Sequence, residues 1–222
     1  GGGSDDPPAT DDDSGDDGSG GGGSTQTSLT GDWIFVDGDG STGINVDTNE
    51  NAIVPHATLY DADLYVAWSE ATGTTYNKIV IKKYDGSVVE DVSSDISRGS
   101  NSTFNPKLIE FNSKLFVVWA EYLSGLRVFV SSFDGLNWTA VDSTDDSGLR
   151  YNESKESTSP DAVVFNSKLY IGWTEQGSGT AFSKVAIKNF DGSFADVTDD
   201  ISRGAEDNTY TPKLADFGSK LY

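Results

Sequence analysis

Two loops of the sequence place an arginine a few residues ahead of an aromatic ring and a proline. Arg98 precedes Phe104, and Arg203 precedes Tyr210. A sugar can stack on such a ring while the guanidinium hydrogen-bonds its hydroxyl groups, so we take these four residues as candidate ligand-binding residues. In the alternative interpretation, the arginines pair with nearby aspartates and only fix their loops. Those aspartates are Asp91, Asp95, Asp196 and Asp200.

The sequence contains one histidine, His56, and no cysteine. A multi-histidine or cysteine-ligated metal site is therefore excluded, and any Ser/His/Asp triad has to include His56. His56 follows Pro55 at a position where the other repeats have Lys107, Asp161 and Lys213. This variation predicts an exposed residue rather than a shared ligand role, and His56 joins the candidate ligand-binding residues.

Clustered carboxylates on two segments have the chemistry that a hard cation such as calcium requires. The first segment contains Asp37 and Asp39, and the second contains Asp142 and Asp145. Gly40 comes too early in the first segment for the turn of an EF-hand loop. We therefore expect no obligatory cofactor, and calcium at these four aspartates stays an open alternative.

Three glutamates recur, each following a tryptophan with one residue between them. The pairs are Trp68 with Glu70, Trp119 with Glu121, and Trp173 with Glu175. Two carboxylates can hydrolyse a glycosidic bond, but the acid and the nucleophile need different environments. Because these glutamates stand at one repeated position, we expect them and their tryptophans to belong to the scaffold.

Each Trp-x-Glu ends an apolar run, and the runs recur about every 50 residues. A proline precedes each run, and an aromatic-Asp-Gly turn follows it. The turns are Tyr84-Asp85-Gly86, Phe133-Asp134-Gly135 and Phe190-Asp191-Gly192. Asp-Gly between two extended segments is a strong hairpin signal. The sequence therefore predicts that each repeat contains four short strands, A to D, joined by tight turns.

Four-stranded units of this length are typical of a β-propeller. The sequence thus predicts an all-β fold, a β-propeller of four-stranded antiparallel blades of about 50 residues. A pair of β-sandwiches and an open β-solenoid are the alternative folds. Over residues 31–222 the pattern resembles the repeats of sialidase-like and lectin-like propellers. The segment from Ser131 to Trp138 approaches the sialidase Asp-box, with its Asp displaced by one position.

Composition divides the chain into two parts. Residues 1–28 contain Gly, Asp and Ser with no Lys or Arg, so we expect a disordered, extended linker. Residues 29–222 hold the propeller repeats. They divide into a strand D with its loop (31–54), three blades (55–105, 106–159 and 160–211) and the start of a further blade (212–222). On this division the propeller is incomplete as given, and we expect it to continue or to receive a strand from another chain.

The N-terminal segment bears on location. It resembles bacterial lipoproteins just after their lipidated cysteine, which would stand immediately before Gly1; an engineered linker is the alternative. The resemblance implies an extracellular or cell-surface protein, either an outer-membrane lipoprotein or a secreted protein. No apolar run is long enough for a transmembrane segment. The net charge of −21 makes nucleic acid a poor partner, since it would be repelled.

Together these features favour a protein that is not an enzyme. We expect a non-catalytic, extracellular or cell-surface propeller that binds a glycan or a surface protein through repeated loops and gains avidity from the repetition. Two alternatives stay open. One is a structural surface or filament subunit that assembles through open strand edges, and the other is a sialidase-like glycoside hydrolase, against which the displaced Asp-box argues.

Overall fold

The computed structural model describes residues 43–71, 73, 76–94, 96–99, 101–142, 147–152, 154–176, 183–198, 201 and 211–222. These residues form strands, turns and loops, and they contain no helix. Accordingly, no helix within these ranges is long and apolar enough to cross a membrane.

Within the described residues, the strands form three four-stranded antiparallel sheets, each in chain order from strand A to strand D. Two further strands form a hairpin. The first blade consists of β1 (Ala52–Tyr60), β2 (Asp63–Ala71), β3 (Asn77–Tyr84) and β4 (Val89–Asp91). The second consists of β5 (Thr103–Phe111), β6 (Lys114–Tyr122), β7 (Leu126–Phe133) and β8 (Trp138–Ala140). The third consists of β9 (Glu156–Phe165), β10 (Lys168–Gln176), β11 (Lys184–Phe190) and β12 (Phe194–Thr198). The hairpin consists of β13 (Asp216–Phe217) and β14 (Lys220–Leu221).

Tight turns set the register of these strands. Strands A and B of each blade are joined by two residues that are both left-handed, as in Asn112 (φ 49°) and Ser113 (φ 57°). This is the conformation of a hairpin turn whose twist matches its strands. Between strands C and D, Asp85 Oδ1 accepts the backbone N–H groups of Ser87 and Val88 at 2.8 and 2.9 Å, and Gly86 adopts φ 96°. The hairpins predicted from Asp-Gly are confirmed.

The second blade shows why strand B is apolar along its whole length. In β6, Leu115, Val117 and Trp119 pack into a cluster with the first blade, and the alternate residues Phe116 and Val118 pack into a cluster with the third. Both faces of the strand are therefore buried between neighbouring blades. The prediction of an all-β fold of four-stranded antiparallel blades is confirmed.

The recurring glutamates connect strand B to the loop that enters the same blade. Glu121 is fully buried; its Oε2 accepts from Trp119 Nε1 at 2.9 Å, and its carboxylate also accepts the backbone N–H groups of Arg98 and Gly99. Glu70 and Glu175 hold pairs of consecutive backbone N–H groups in the same way. The scaffold role predicted for these glutamates is confirmed.

Candidate functional site

Strand A of each blade (β1, β5 and β9) is called the inner strand below. Each inner strand contains a β-bulge that consists of its proline and the residue before it. The residue before each proline is left-handed, and the same holds ahead of Pro212. These residues are Val54 (φ 54°), Asn105 (φ 52°), Ser159 (φ 52°) and Thr211 (φ 51°). Left-handed backbone is costly for β-branched residues such as Val54 and Thr211. Bulges of this kind re-aim the side chains next to them.

The three bulges and the left-handed residue ahead of Pro212 converge on one cavity of about 260 Å³. Its lining includes the side chain that follows the proline in three of the four repeats: His56, Lys107 and Lys213. The fourth equivalent, Asp161, lies buried beside the lining residue Pro160. A single position in the repeat thus brings an imidazole, a carboxylate and two ammonium groups to one place.

Contacts at this position connect each blade to the next. The backbone N–H of Leu108 donates to His56 Nδ1 at 3.2 Å, and the backbone N–H of Leu214 donates to Asp161 Oδ2 at 2.7 Å. Lys107 Nζ lies 3.0 Å from Asp161 Oδ1 as an ion pair, and the Asp161 side chain is only 2% exposed. These contacts fix Asp161 and hold the Lys107 ammonium at the cavity.

His56 is neutral at physiological pH. Burial lowers its pKa from 6.5 to about 4; the positive charges of Lys107 and Lys213 act in the same direction, and Asp161 opposes them. Because Nδ1 accepts a hydrogen bond, the proton of the neutral ring lies on Nε2, which is a hydrogen-bond donor. His56 is partly buried, which differs from the exposed residue expected, because the neighbouring inner strand covers Nδ1.

The other sequence candidates lie elsewhere. The Arg98 guanidinium pairs with Asp142 at 2.8 Å and lies 5.5 Å from the centre of the Phe129 ring, so its aromatic neighbour is Phe129. Phe104 is a partly buried residue of β5. Asp142 is the one calcium candidate that is described, and its carboxylate accepts from Arg98 and from the Val130 backbone N–H. The candidates outside the described residues are Arg203, Tyr210, Asp37, Asp39 and Asp145.

Sequence reasoning identified His56 but missed the set to which it belongs. The variation among Lys107, Asp161 and Lys213 at this position predicts an exposed residue and does not indicate that these side chains meet. The available signal was the proline at the start of each repeat, since proline in an inner strand indicates a bulge. No three histidine or carboxylate side chains within the described ranges come together as metal ligands.

Comparisons with known proteins identify the fold. No protein-family model and no curated protein sequence matches the chain. An α-L-arabinanase from Penicillium chrysogenum, solved with arabinobiose, has a TM-score of 0.51 at 15% identity over 72% of this chain and 50% of that chain. A family 117 glycoside hydrolase from the marine bacterium Zobellia galactanivorans has a TM-score of 0.49 at 13% identity, over 64% and 53%. The chain spans about half the length of these structures.

The likeness to the arabinanase establishes the fold class: the chain is a β-propeller of four-stranded antiparallel blades. The interpretation as a non-catalytic binding propeller was wrong, and so was the expectation that the protein is not an enzyme. The likeness to the α-L-arabinanase overturns both expectations and favours the glycoside hydrolase alternative. Physically, a binding propeller with repeated sites needs equivalent side chains in every blade, whereas this cavity combines different side chains from different blades.

Proposed function

We propose that the protein is a glycoside hydrolase of the β-propeller class whose sugar site is the cavity at the three bulges and Pro212. The observation that carries this proposal is the convergence of His56, Lys107 and Lys213, with Asp161 paired to Lys107, from one repeat position onto a single cavity. Acid–base chemistry on a sugar requires such asymmetry, because its groups need different environments. The likeness of the fold to an arabinanase supports the same conclusion.

The described blades supply the groups that bind and orient the sugar. His56 Nε2–H and the two lysine ammonium groups are donors for sugar oxygens. His56 lies on β1 and Lys107 on β5, and Lys213 lies shortly before β13. Asp161 is a positioning residue, because it acts on the cavity through Lys107. Holding a substrate in the reactive geometry is worth several orders of magnitude in rate, and a displacement of about 1 Å costs about 100-fold.

Hydrolysis itself uses two carboxyl groups on either side of the scissile bond. Among the described residues the cavity lining contains no carboxylate. In this proposal the acid and its partner come from residues outside the described lining of the cavity. A sialidase-like glycoside hydrolase is a more specific case of this proposal.

The activity is tested by incubating the whole protein with a panel of polysaccharides, arabinan included, and with chromogenic glycosides, and measuring the reducing sugar released. We expect turnover of at least one glycan and a loss of about 100-fold in Asp161→Asn. Lys114→Gln, an exposed change in the same blade as Lys107, is the control and should keep full activity. Absence of turnover on every substrate would overturn the proposal. His56→Gln provides a second variant if Asp161→Asn is unstable.

We also propose that residues 1–28 tether the propeller at a bacterial cell surface. Nine Gly and seven Asp without Lys or Arg support an extended spacer, because such a segment cannot bury enough apolar surface to fold. The intact mass of the native protein from its source cells tests this. An acylated cysteine before Gly1 is the expected result, and an unmodified terminus would contradict the proposal.

A further inference from the structure

We propose that the cavity lined by His56, Lys107 and Lys213 selects a sugar that carries an anionic group, either the carboxylate of a uronate or a sulfate ester. The inference deepens the proposed function by naming its substrate class, and for catalysis it rests on that function. The binding of an anionic sugar does not rest on the proposed function, because it follows from the charges at the cavity.

The charge at the cavity is opposite to that of the protein. The chain carries a net charge of −21, yet the described lining of the cavity has two lysines, Lys107 and Lys213, and no carboxylate. A cluster of cationic side chains at one concave place in an acidic protein creates a local field that differs in sign from the surroundings.

Asp161, the carboxylate that pairs with Lys107, is already engaged. Asp161 pairs with Lys107 through Oδ1 and accepts the Leu214 backbone N–H through Oδ2, and it is 2% exposed. It therefore neutralises one ammonium group and is not directed to Lys213. Within the part of the chain that the structure describes, Lys213 forms no ion pair, so an anion on the ligand would be its counter-charge.

The remaining groups suit an anion better than a neutral sugar. His56 presents an Nε2–H donor because its Nδ1 is occupied by the Leu108 backbone N–H. A donor beside an ammonium group matches the several acceptor oxygens of a carboxylate or sulfate. Lys213 is exposed, so solvent screens its charge, and its contribution to affinity is about 5-fold.

The experiment measures binding of three oligosaccharides of equal length by titration calorimetry on the whole protein at low ionic strength: an oligogalacturonate, a sulfated galactose oligomer and a neutral galactose oligomer. We expect one of the anionic ligands to bind about 5-fold more tightly than the neutral one. The comparison of the first two separates carboxylate from sulfate. Added salt should reduce the difference.

Lys213→Gln tests the site itself and should remove the preference for the anionic oligomer. Lys220→Gln is the matched control, because it makes the same charge change at an exposed position of the adjoining hairpin and should leave binding unchanged. Equal binding of the neutral oligomer, or an unchanged preference in Lys213→Gln, would overturn the inference.

The two proposals fail separately. If the protein hydrolyses neutral glycans and shows no preference for anionic ones, the glycoside hydrolase function stands and the inference about charge is wrong. If anionic oligomers bind through Lys213 but no glycan is hydrolysed, the inference stands and the proposed function is wrong.

Discussion

Trp119 donates its indole N–H to Glu121 across one intervening residue of the same strand, at 2.9 Å. The same carboxylate accepts the backbone N–H groups of Arg98 and Gly99 at 3.0 and 2.8 Å. Burial raises the pKa of Glu121, and these donors oppose the rise. In the second blade the Trp-x-Glu pair is therefore a clamp that holds the entering loop against strand B.

Replacing Glu121 with Gln should destabilise the fold by about 2 kcal/mol, because the amide NH₂ would face a backbone N–H that it cannot accept. Chemical denaturation of the two proteins measures the difference. Glu110→Gln is the matched control, since Glu110 is an exposed residue of β5 in the same blade and should change stability by less than about 0.5 kcal/mol. Equal effects of the two substitutions would show that the clamp contributes little.

Arg98 should prove to be a structural residue. Its guanidinium compensates the Asp142 carboxylate, which is 0% exposed, so Arg98→Ala leaves a buried charge and should cost about 3 kcal/mol. In the double variant Arg98→Ala/Asp142→Asn the charge is gone, and part of the loss should be recovered. A double-mutant cycle measured by urea unfolding gives the coupling. Strictly additive effects would contradict the ion pair.

The bulge ahead of each proline should contain measurable strain at Val54. This residue is β-branched, has φ 54° and is 49% exposed, so replacing it removes strain without opening the core. Val54→Asn should raise stability by about 1 kcal/mol, because asparagine tolerates left-handed backbone. The reverse change at the equivalent position, Asn105→Val, should lower it by a similar amount. Thermal unfolding midpoints check both, and a fall in Val54→Asn would contradict the argument.

Local signals in the sequence were sufficient for the blades. Apolar runs such as Leu115 to Trp119 and turns such as Asp85-Gly86 act through neighbouring residues, so spacing alone predicts their strands and hairpins. The scaffold role of Glu121 was predictable for the same reason, because repetition at one position argues against an acid and nucleophile pair.

The site depends on contacts that cross between blades, and the sequence does not reveal them. The Lys107 to Asp161 ion pair and the Leu108 hydrogen bond to His56 join residues more than 50 positions apart. Only the arrangement of the inner strands around one cavity brings them together. Arg98 shows the same limit, since its partner was sought among nearby aspartates and proved to be Asp142, 44 positions away.

The single histidine makes the electrostatics of the cavity directly observable. Nuclear magnetic resonance titration should give His56 a pKa of about 4 rather than 6.5, chiefly because of burial. Lys213→Gln should raise that pKa, and Asp161→Asn should lower it, since the groups facing the ring are Lys107, Lys213 and Asp161. A midpoint near 6.5 in the native protein would show that the ring is solvated and that the cavity is open around it.

The same shift makes folding depend on pH. Between pH 6.5 and about 4 the unfolded chain binds a proton at His56 that the folded protein does not, so stability falls as the pH is lowered through this window. Because the ring is only partly buried, solvent reduces the effect to about 1 kcal/mol. His56→Gln cannot titrate, and its loss of stability between pH 7 and 4.5 should be smaller than that of the native protein by this amount. If the native protein and His56→Gln lost the same stability between pH 7 and 4.5, the imidazole would not contribute to the pH dependence.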